Sequence, residues 1–173
     1  MDEYVIIDTD MASVFAKIER LELLKRLFSK HRIVITPRIH DELMVSLQFG
    51  YSFPKDIFKH FKVIYPTNEE SKDFRDLMSQ MSTPLGKGEL EAISICKSRR
   101  SIFSSMDQIA LKFAEDFGVE TVGLHSILRA FWKSRLLSEI DVEAVIRDIE
   151  EKDNTKIKDK KTLFSIISSK QTD

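Results

Sequence analysis

The chain has one cysteine, Cys96, so no disulfide framework can hold it, and its four scattered histidines cannot complete a cysteine–histidine zinc cage. No run approaches the roughly 20 apolar residues that a membrane span requires. Neither sign of charge dominates: 27 Lys and Arg stand against 28 Asp and Glu, a net charge of -1. That balance excludes the strongly basic footprint of a protein that coats nucleic acid, so any such contact must be local. No signal peptide is expected either, because Met1-Asp2-Glu3-Tyr4 carries acids where positive charge is needed. A reduced, cytoplasmic protein with no membrane partner is expected.

What is present is enough for a real core. The 173 residues are 42% hydrophobic and 32% charged, the balance of a soluble globular protein. A chain of this length buries about two-thirds of its unfolded surface, and a single domain with an appendage is expected. Tyr4-Val5-Ile6-Ile7 is continuous, β-branched and stopped by Asp8, which predicts a strand buried on both faces of a parallel sheet. Residues 11–28 have helical spacing, with a break near Arg20. Arg32-Ile33-Val34-Ile35 is a second buried strand. Thr36-Pro37 is an N-cap followed by proline in the first helical position, and the helix it starts should end at Gly50.

Further on, residues 55–61 predict a short helix, 62–65 a strand, and Thr67-x-x-Glu70 a capping box opening a helix towards Met81. A loop over 82–88 precedes a helix over 89–98. A strand at 101–103, a helix over 107–117 and a strand at 119–122 follow. The rest reads as helical, apart from a basic loop over 152–161. Strands alternating with helices predict an α/β fold with a mainly parallel sheet. The tail, 152–173, reads as a solvated loop and a docked terminal helix, or as a partner-binding arm.

Acids mark the places where such a sheet forms sites. In parallel α/β sheets, ligands gather at the carboxyl ends of strands, where the strand order reverses. Asp8 ends the first strand and Asp107 follows a later one. Unpaired buried carboxylates are costly, and converging ones repel unless a proton or a cation neutralises them. Glu42 lies near the edge of the buried stripe of Ile39, Leu43 and Leu47, while Asp41, 100° round the helix, faces solvent. In Gly86-Lys87-Gly88-Glu89-Leu90-Glu91-Ala92, the two glutamates are about 200° apart on an ideal helix. Both can face one cavity only if the first turn is irregular. Each acid also has a plain structural reading: Asp8 and Asp107 as helix caps, Glu42 as a surface acid and Glu89 as a partner for the helix dipole.

Taken in order, these acids resemble those of the PIN-domain family of metal-dependent nucleases. The resemblance spans roughly residues 4–137. Ile6-Ile7-Asp8-Thr9 is similar to the family's opening motif, Glu42 to its second acidic position, and Gly88-Glu89-Leu90-Glu91-Ala92 to the Gly-Glu-x-Glu-Ala segment of one branch. Ser105-Met106-Asp107-Gln108 resembles the segment with the last acid. The resemblance implies a three-layer α/β fold, with a mainly parallel central sheet flanked by helices. Residues 1–137 would be the nuclease domain and 138–173 a C-terminal helical extension packed on it.

It further implies that Asp8, Glu42, Glu91 and Asp107 are catalytic, with Glu89 and Asp10 accessory. Asp8, Glu42, one or both of Glu89 and Glu91, and Asp107 would bind Mg²⁺ or Mn²⁺, hard cations that prefer oxygen ligands. Asp10 stands where the family usually has Ser or Asn, Met106 where a second acid is common, and His125 where Thr or Ser is usual. The loss of that second acid bears on a complete second metal site. The substrate implied is RNA.

Arg38, Lys87, Arg99, Arg100, Arg129, Lys133 and Arg135 are candidate backbone contacts, and Phe131 or Trp132 candidate stacking groups. Small stand-alone members similar to VapC-type toxins are commonly homodimers held inactive by an antitoxin partner. Two other readings remain. One is a non-catalytic scaffold of the same fold that binds RNA or protein. The other is a haloacid-dehalogenase-type phosphatase, which Ile6-Ile7-Asp8-Thr9-Asp10 also resembles. Ala12 stands where that family has Thr or Val, and Asp107 lacks its paired acid.

Overall fold

The computed structural model describes residues 3–80, 82 and 84–166. In these residues five strands make one parallel sheet: β1 (Tyr4–Ile7), β2 (Arg32–Ile35), β3 (Lys62–Val63), β4 (Ile102–Ser104) and β5 (Thr121–Val122). Among the described residues, ten helices surround it: α1 (Thr9–Lys17), α2 (Leu21–Leu27), α3 (Pro37–Gln48), α4 (Pro54–His60), α5 (Asn68–Gln80), α6 (Lys87–Arg99), α7 (Gln108–Asp116), α8 (Leu124–Lys133), α9 (Glu139–Lys152) and α10 (Lys160–Leu163). The layering is that of the expected three-layer α/β fold. Among the described residues, no helix is long and apolar enough to cross a membrane.

The strand order is β3-β2-β1-β4-β5. β1 is therefore central, with Val5 opposite Ile33 on one side and Ile102 on the other. This explains its unbroken Val5-Ile6-Ile7 run: all three side chains are buried because helices cover both faces. The chain winds outward through β2 and β3, then returns to β4 on the other side of β1. The order reverses between β1 and β4, so their carboxyl ends flank the crevice that open α/β sheets use for ligands. The Asp8 N–H donates to the Ser104 carbonyl at 2.9 Å, stitching the two strand ends together.

Local signals set most boundaries. Thr36 caps α3 by accepting from the Ile39 N–H, and Pro37 occupies its first position. The break at Arg20 separates α1 from α2, and Glu19 there has a positive φ of 58°. Thr67 and Glu70 form the reciprocal capping box, at 2.8 and 3.1 Å. Several boundaries differ from expectation, β5 among them, which starts at Thr121 instead of residue 119. β3 is two residues long, because only Lys62 and Val63 run beside β2. α6 starts at Lys87, with Gly86 as N-cap, so the predicted loop yields two residues to the helix. α10 takes the last residues of the predicted basic loop.

The apolar stripe of α9, Val142, Val145, Ile146 and Ile149, is buried, and α9 packs against α1 and α8. Leu163 of α10 is also buried. Ile167 of the predicted tail patch, the rest of 167–173, and Met81 at the expected end of α5 lie outside the described residues.

Candidate functional site

Five carboxylates line one cavity of about 290 Å³ at the carboxyl end of the sheet: Asp8, Asp10, Glu42, Glu89 and Asp107, together with Thr9, Ile39 and Gly86. They come from four places in the chain: the β1–α1 junction, α3, the first turn of α6, and the residue before α7. Among the described residues, no Lys, Arg or His lines this cavity.

Four of the five acids are steered by a local donor. Asp8 caps α1, accepting from the Met11 N–H at 2.8 Å, and is only 4% exposed. Burial pushes its carboxyl up from 3.8 to about 7. Hydrogen bonds from Ser105 and Met11 oppose that rise, while the charges of Asp10 and Glu89 add to it. Asp107 caps α7, accepting from Ile109 at 2.7 Å and Ala110 at 3.3 Å. Ser105 shapes this turn by accepting from the Asp107 N–H at 3.0 Å. Glu89 accepts from the Gly86 N–H at 3.0 Å. Partial burial raises its pKa, the Gly86 bond opposes this, and Asp107, Asp10 and Glu42 push it further up.

Glu42 receives a hydrogen bond from the Thr9 hydroxyl. Its carboxylate lies over the first turn of α6 at Gly88, where a Cβ would come within 2.6 Å of Glu42 Oε1. Gly88 is therefore a matter of close approach rather than of backbone freedom.

Glu91, expected among the catalytic and metal-binding acids, does not line this cavity. α6 is regular in its first turn, so Glu91 points about 200° away from Glu89. It is 6% exposed and turned to the start of α3. There it accepts from the Arg38 N–H at 3.1 Å and pairs with the Arg38 guanidinium at 3.3 Å.

Several candidate substrate contacts are likewise occupied elsewhere. Arg99 forks onto Glu70, and Arg129 donates to the carbonyls of Thr162, Leu163 and Ser165. His125 lies against the Thr162 hydroxyl, so it holds the tail rather than the cavity. Phe131 is fully buried, and Trp132 packs edge-on against Phe164. Thr9, Ser105 and Gly88 support the acids without any pattern of their own in the sequence, although each adjoins an acid motif.

The donor set is all oxygen and all anionic, which suits Mg²⁺ or Mn²⁺ rather than zinc or copper. Among the described residues, no three His, Cys, Asp or Glu side chains are grouped closely enough to hold a metal ion as they stand. Carboxylates this near one another repel until a proton or a cation neutralises them.

Two solved structures share the fold with TM-scores of 0.54. VapBC-1 from nontypeable Haemophilus influenzae is 12% identical, with 69% of this chain covering 97% of that one. VapBC2 from Rickettsia felis, bound to a promoter DNA fragment, is 14% identical, with 69% covering 98%. A PilT N-terminus domain protein from the archaeon Sulfolobus solfataricus aligns over 75% of this chain and 94% of its own, at 15% identity and a TM-score of 0.49. The comparison with curated proteins gives no match. The PIN domain family DUF3368 matches residues 4–167, nearly the whole sequence, and the chain therefore belongs to the PIN-domain family.

Proposed function

We propose that this protein is a metal-dependent endoribonuclease hydrolysing RNA phosphodiester bonds. The supporting observation is the cavity itself: five carboxylates gathered at the strand-order reversal with no cation among its lining side chains. An anionic pocket repels nucleic acid unless bound metal inverts its field. Asp8, Glu42, Glu89 and Asp107 would hold Mg²⁺ or Mn²⁺ directly or through water, with Asp10 at the rim. Bound metal supplies an acidified water and neutralises charge building on the phosphate oxygens.

The chain's own residues set up that chemistry. Thr9 and Gly88 fix where the Glu42 carboxylate lies. Ser105 orders the turn carrying Asp107 and hydrogen-bonds Asp8. The proton that burial favours on Asp8 must leave when a cation arrives. Glu91 acts at a distance by anchoring Arg38 and the start of α3, the helix that carries Glu42.

The biological role that fits best is the toxin of a toxin–antitoxin pair. The likeness to the two VapBC structures supports it, and it carries the expectation of a cytoplasmic homodimer regulated by an antitoxin-like protein. Residues 138–173 would then be an extension of a nuclease unit over 1–137. The wide spacing of the acids favours one second reading, a non-catalytic scaffold. Calorimetric titration with Mn²⁺ separates the two, because a scaffold takes up no metal.

The direct test is cleavage of end-labelled single-stranded RNA by wild type and Asp8→Asn, each with Mn²⁺, Mg²⁺ or EDTA. The proposal expects metal-dependent cutting by wild type alone. A fully active Asp8→Asn would overturn the assignment.

A further inference from the structure

Beside the acidic cavity lies a second one of about 450 Å³, and the two share Thr9 and Asp10. Its lining is different in kind. Tyr51, Phe53 and Met106 supply an apolar side, and Lys17 and Asp153 a polar one. Lys17 is committed, with Nζ 2.5 Å from Asp153 and 5.2 Å from the centre of the Phe53 ring. With Asp10 and Asp153 against Lys17, the lining carries one excess negative charge. Such a groove does not attract phosphate. What it offers a ligand is an aromatic face beside polar edges.

Tyr51 presents that face. It is 59% exposed, although most aromatic residues of the chain are packed. Its backbone is nevertheless fixed. Gly50, at a φ of 95°, ends α3, and its N–H donates to the Leu47 carbonyl at 3.0 Å. The Tyr51 N–H donates to the Ser46 carbonyl at 3.2 Å, completing a Schellman cap. The Tyr51 ring then stands 5.9 Å from that of Phe53, inclined by 49°. An exposed ring on a pinned backbone loses little freedom when something stacks on it.

We propose that this groove seats an unpaired nucleobase of the RNA, next to the phosphodiester placed over the acidic cavity, with Tyr51 as its stacking face. The identity of the polymer rests on the nuclease reading above. A strand crossing the carboxyl end of the sheet passes from one cavity to the other over their shared wall of Thr9 and Asp10. A base is neutral, so the groove's negative charge does not oppose it, and Asp10 can accept from an exocyclic amino group. Stacking of this kind requires a splayed base, which single strands offer and duplexes do not.

The test uses the full chain and a single-stranded RNA oligonucleotide carrying 2-aminopurine, whose fluorescence falls when it stacks. Binding is measured in Ca²⁺ with wild type, Tyr51→Ala and Tyr51→Phe, and thermal melts check that all three are folded. The expected result is quenching by wild type and Tyr51→Phe. With Tyr51→Ala, quenching is lost and binding weakens by about 5- to 100-fold. Wild type that fails to bind or to quench, or Tyr51→Ala that behaves like wild type, overturns the proposal.

Cleavage of the same oligonucleotide in Mn²⁺ separates it from the reading it rests on. Cutting without Tyr51-dependent quenching removes the base site and leaves the nuclease standing. Tyr51-dependent quenching without cutting removes the nuclease and leaves a single-strand binding groove.

Discussion

Two carboxylates in this protein both have little contact with solvent and are treated in opposite ways. Glu70, 2% exposed, receives the Arg99 guanidinium on both oxygens at 2.8 Å and closes its capping box on the Thr67 N–H. Burial pushes its pKa up, but the hydrogen bonds from Arg99 and Thr67 outweigh that and leave it below the usual value. Asp8, 4% exposed, has acids for charged neighbours, Asp10 and Glu89, and its carboxyl is raised to about 7. One charge is buried with its compensation supplied by the chain. The other is buried without it. The first arrangement is self-contained, whereas the second is relieved only by a proton or a cation.

The comparison breaks most visibly in activity. Asp8→Asn and Glu70→Gln are the same chemical change, carboxylate to amide. Losing a metal-binding carboxylate forfeits several kcal/mol of transition-state stabilisation, so Asp8→Asn should cut RNA at least about a thousandfold more slowly. Glu70→Gln, assayed where it is still folded, should cut within a few-fold of wild type. Single-turnover rates on one labelled RNA in Mn²⁺ measure both. Comparable losses in the two variants would mean that Asp8 has no special role.

Stability should separate the same pair with opposite signs. Glu70→Gln leaves Arg99 without its charged partner, at a cost of about 1–3 kcal/mol. In a chain of this size that lowers Tm by roughly 2–10 °C. Asp8→Asn keeps a good N-cap residue and removes an unfavourable charge, so the metal-free variant should melt above wild type at pH 8. Paired thermal melts in EDTA decide the matter, and a destabilised Asp8→Asn would contradict the view of Asp8 as strained.

The pH dependence sharpens this further. Below the ordinary carboxylate value of 3.8, folded and unfolded chains both keep the Asp8 proton. Between there and about 7 the unfolded chain releases it first, so stability falls as pH rises, and the penalty is complete above 7. Its size is on the order of a few kcal/mol. The difference in Tm between Asp8→Asn and wild type should therefore widen from pH 4 to 7 and then stay level. Saturating Mg²⁺ should narrow it at pH 8 by stabilising wild type alone. A difference independent of pH would show that Asp8 titrates normally.

How much of this was legible in the sequence follows the range of each interaction. The Thr67–Glu70 capping box, the Thr36-Pro37 start and the break at Arg20 are settled within a few residues, and their signals stand in the sequence. The burial of β1 on both faces is carried by its Val5-Ile6-Ile7 run, whereas the strand order β3-β2-β1-β4-β5 is not, since Ile33-Val34-Ile35 of β2 is buried as fully. Arg99 is different. Its partner lies 29 residues away, and nothing local distinguishes it from Arg100, which ends α6 in a left-handed turn.

The orientation of Glu91 depended on whether the first turn of α6 was regular, which the Gly-Lys-Gly segment leaves open. Tyr51 belongs to no periodic pattern. Its groove forms where the α3–α4 loop meets α1 and the residues after α9, and only the tertiary fold brings those together.

The smallest effect tests the fine placement of one acid. A Cβ on Gly88 would lie 2.6 Å from Glu42 Oε1 and 3.1 Å from Cδ, and those atoms end a flexible side chain. Gly88→Ala should therefore displace the carboxylate rather than the helix. Alanine is also the better helix former, by up to about 1 kcal/mol, so Tm should change by only a few degrees in either direction. The Glu42 carboxylate, moved from its place beside Thr9, should weaken Mn²⁺ binding by roughly tenfold, the scale of losing an orienting partner. Calorimetric titration of Gly88→Ala beside Glu42→Gln measures this. If Gly88→Ala binds Mn²⁺ as wild type does while Glu42→Gln does not, the carboxylate has found its position by another route. If both bind as wild type, Glu42 is not a ligand, and the cation is held by Asp8, Glu89 and Asp107 alone.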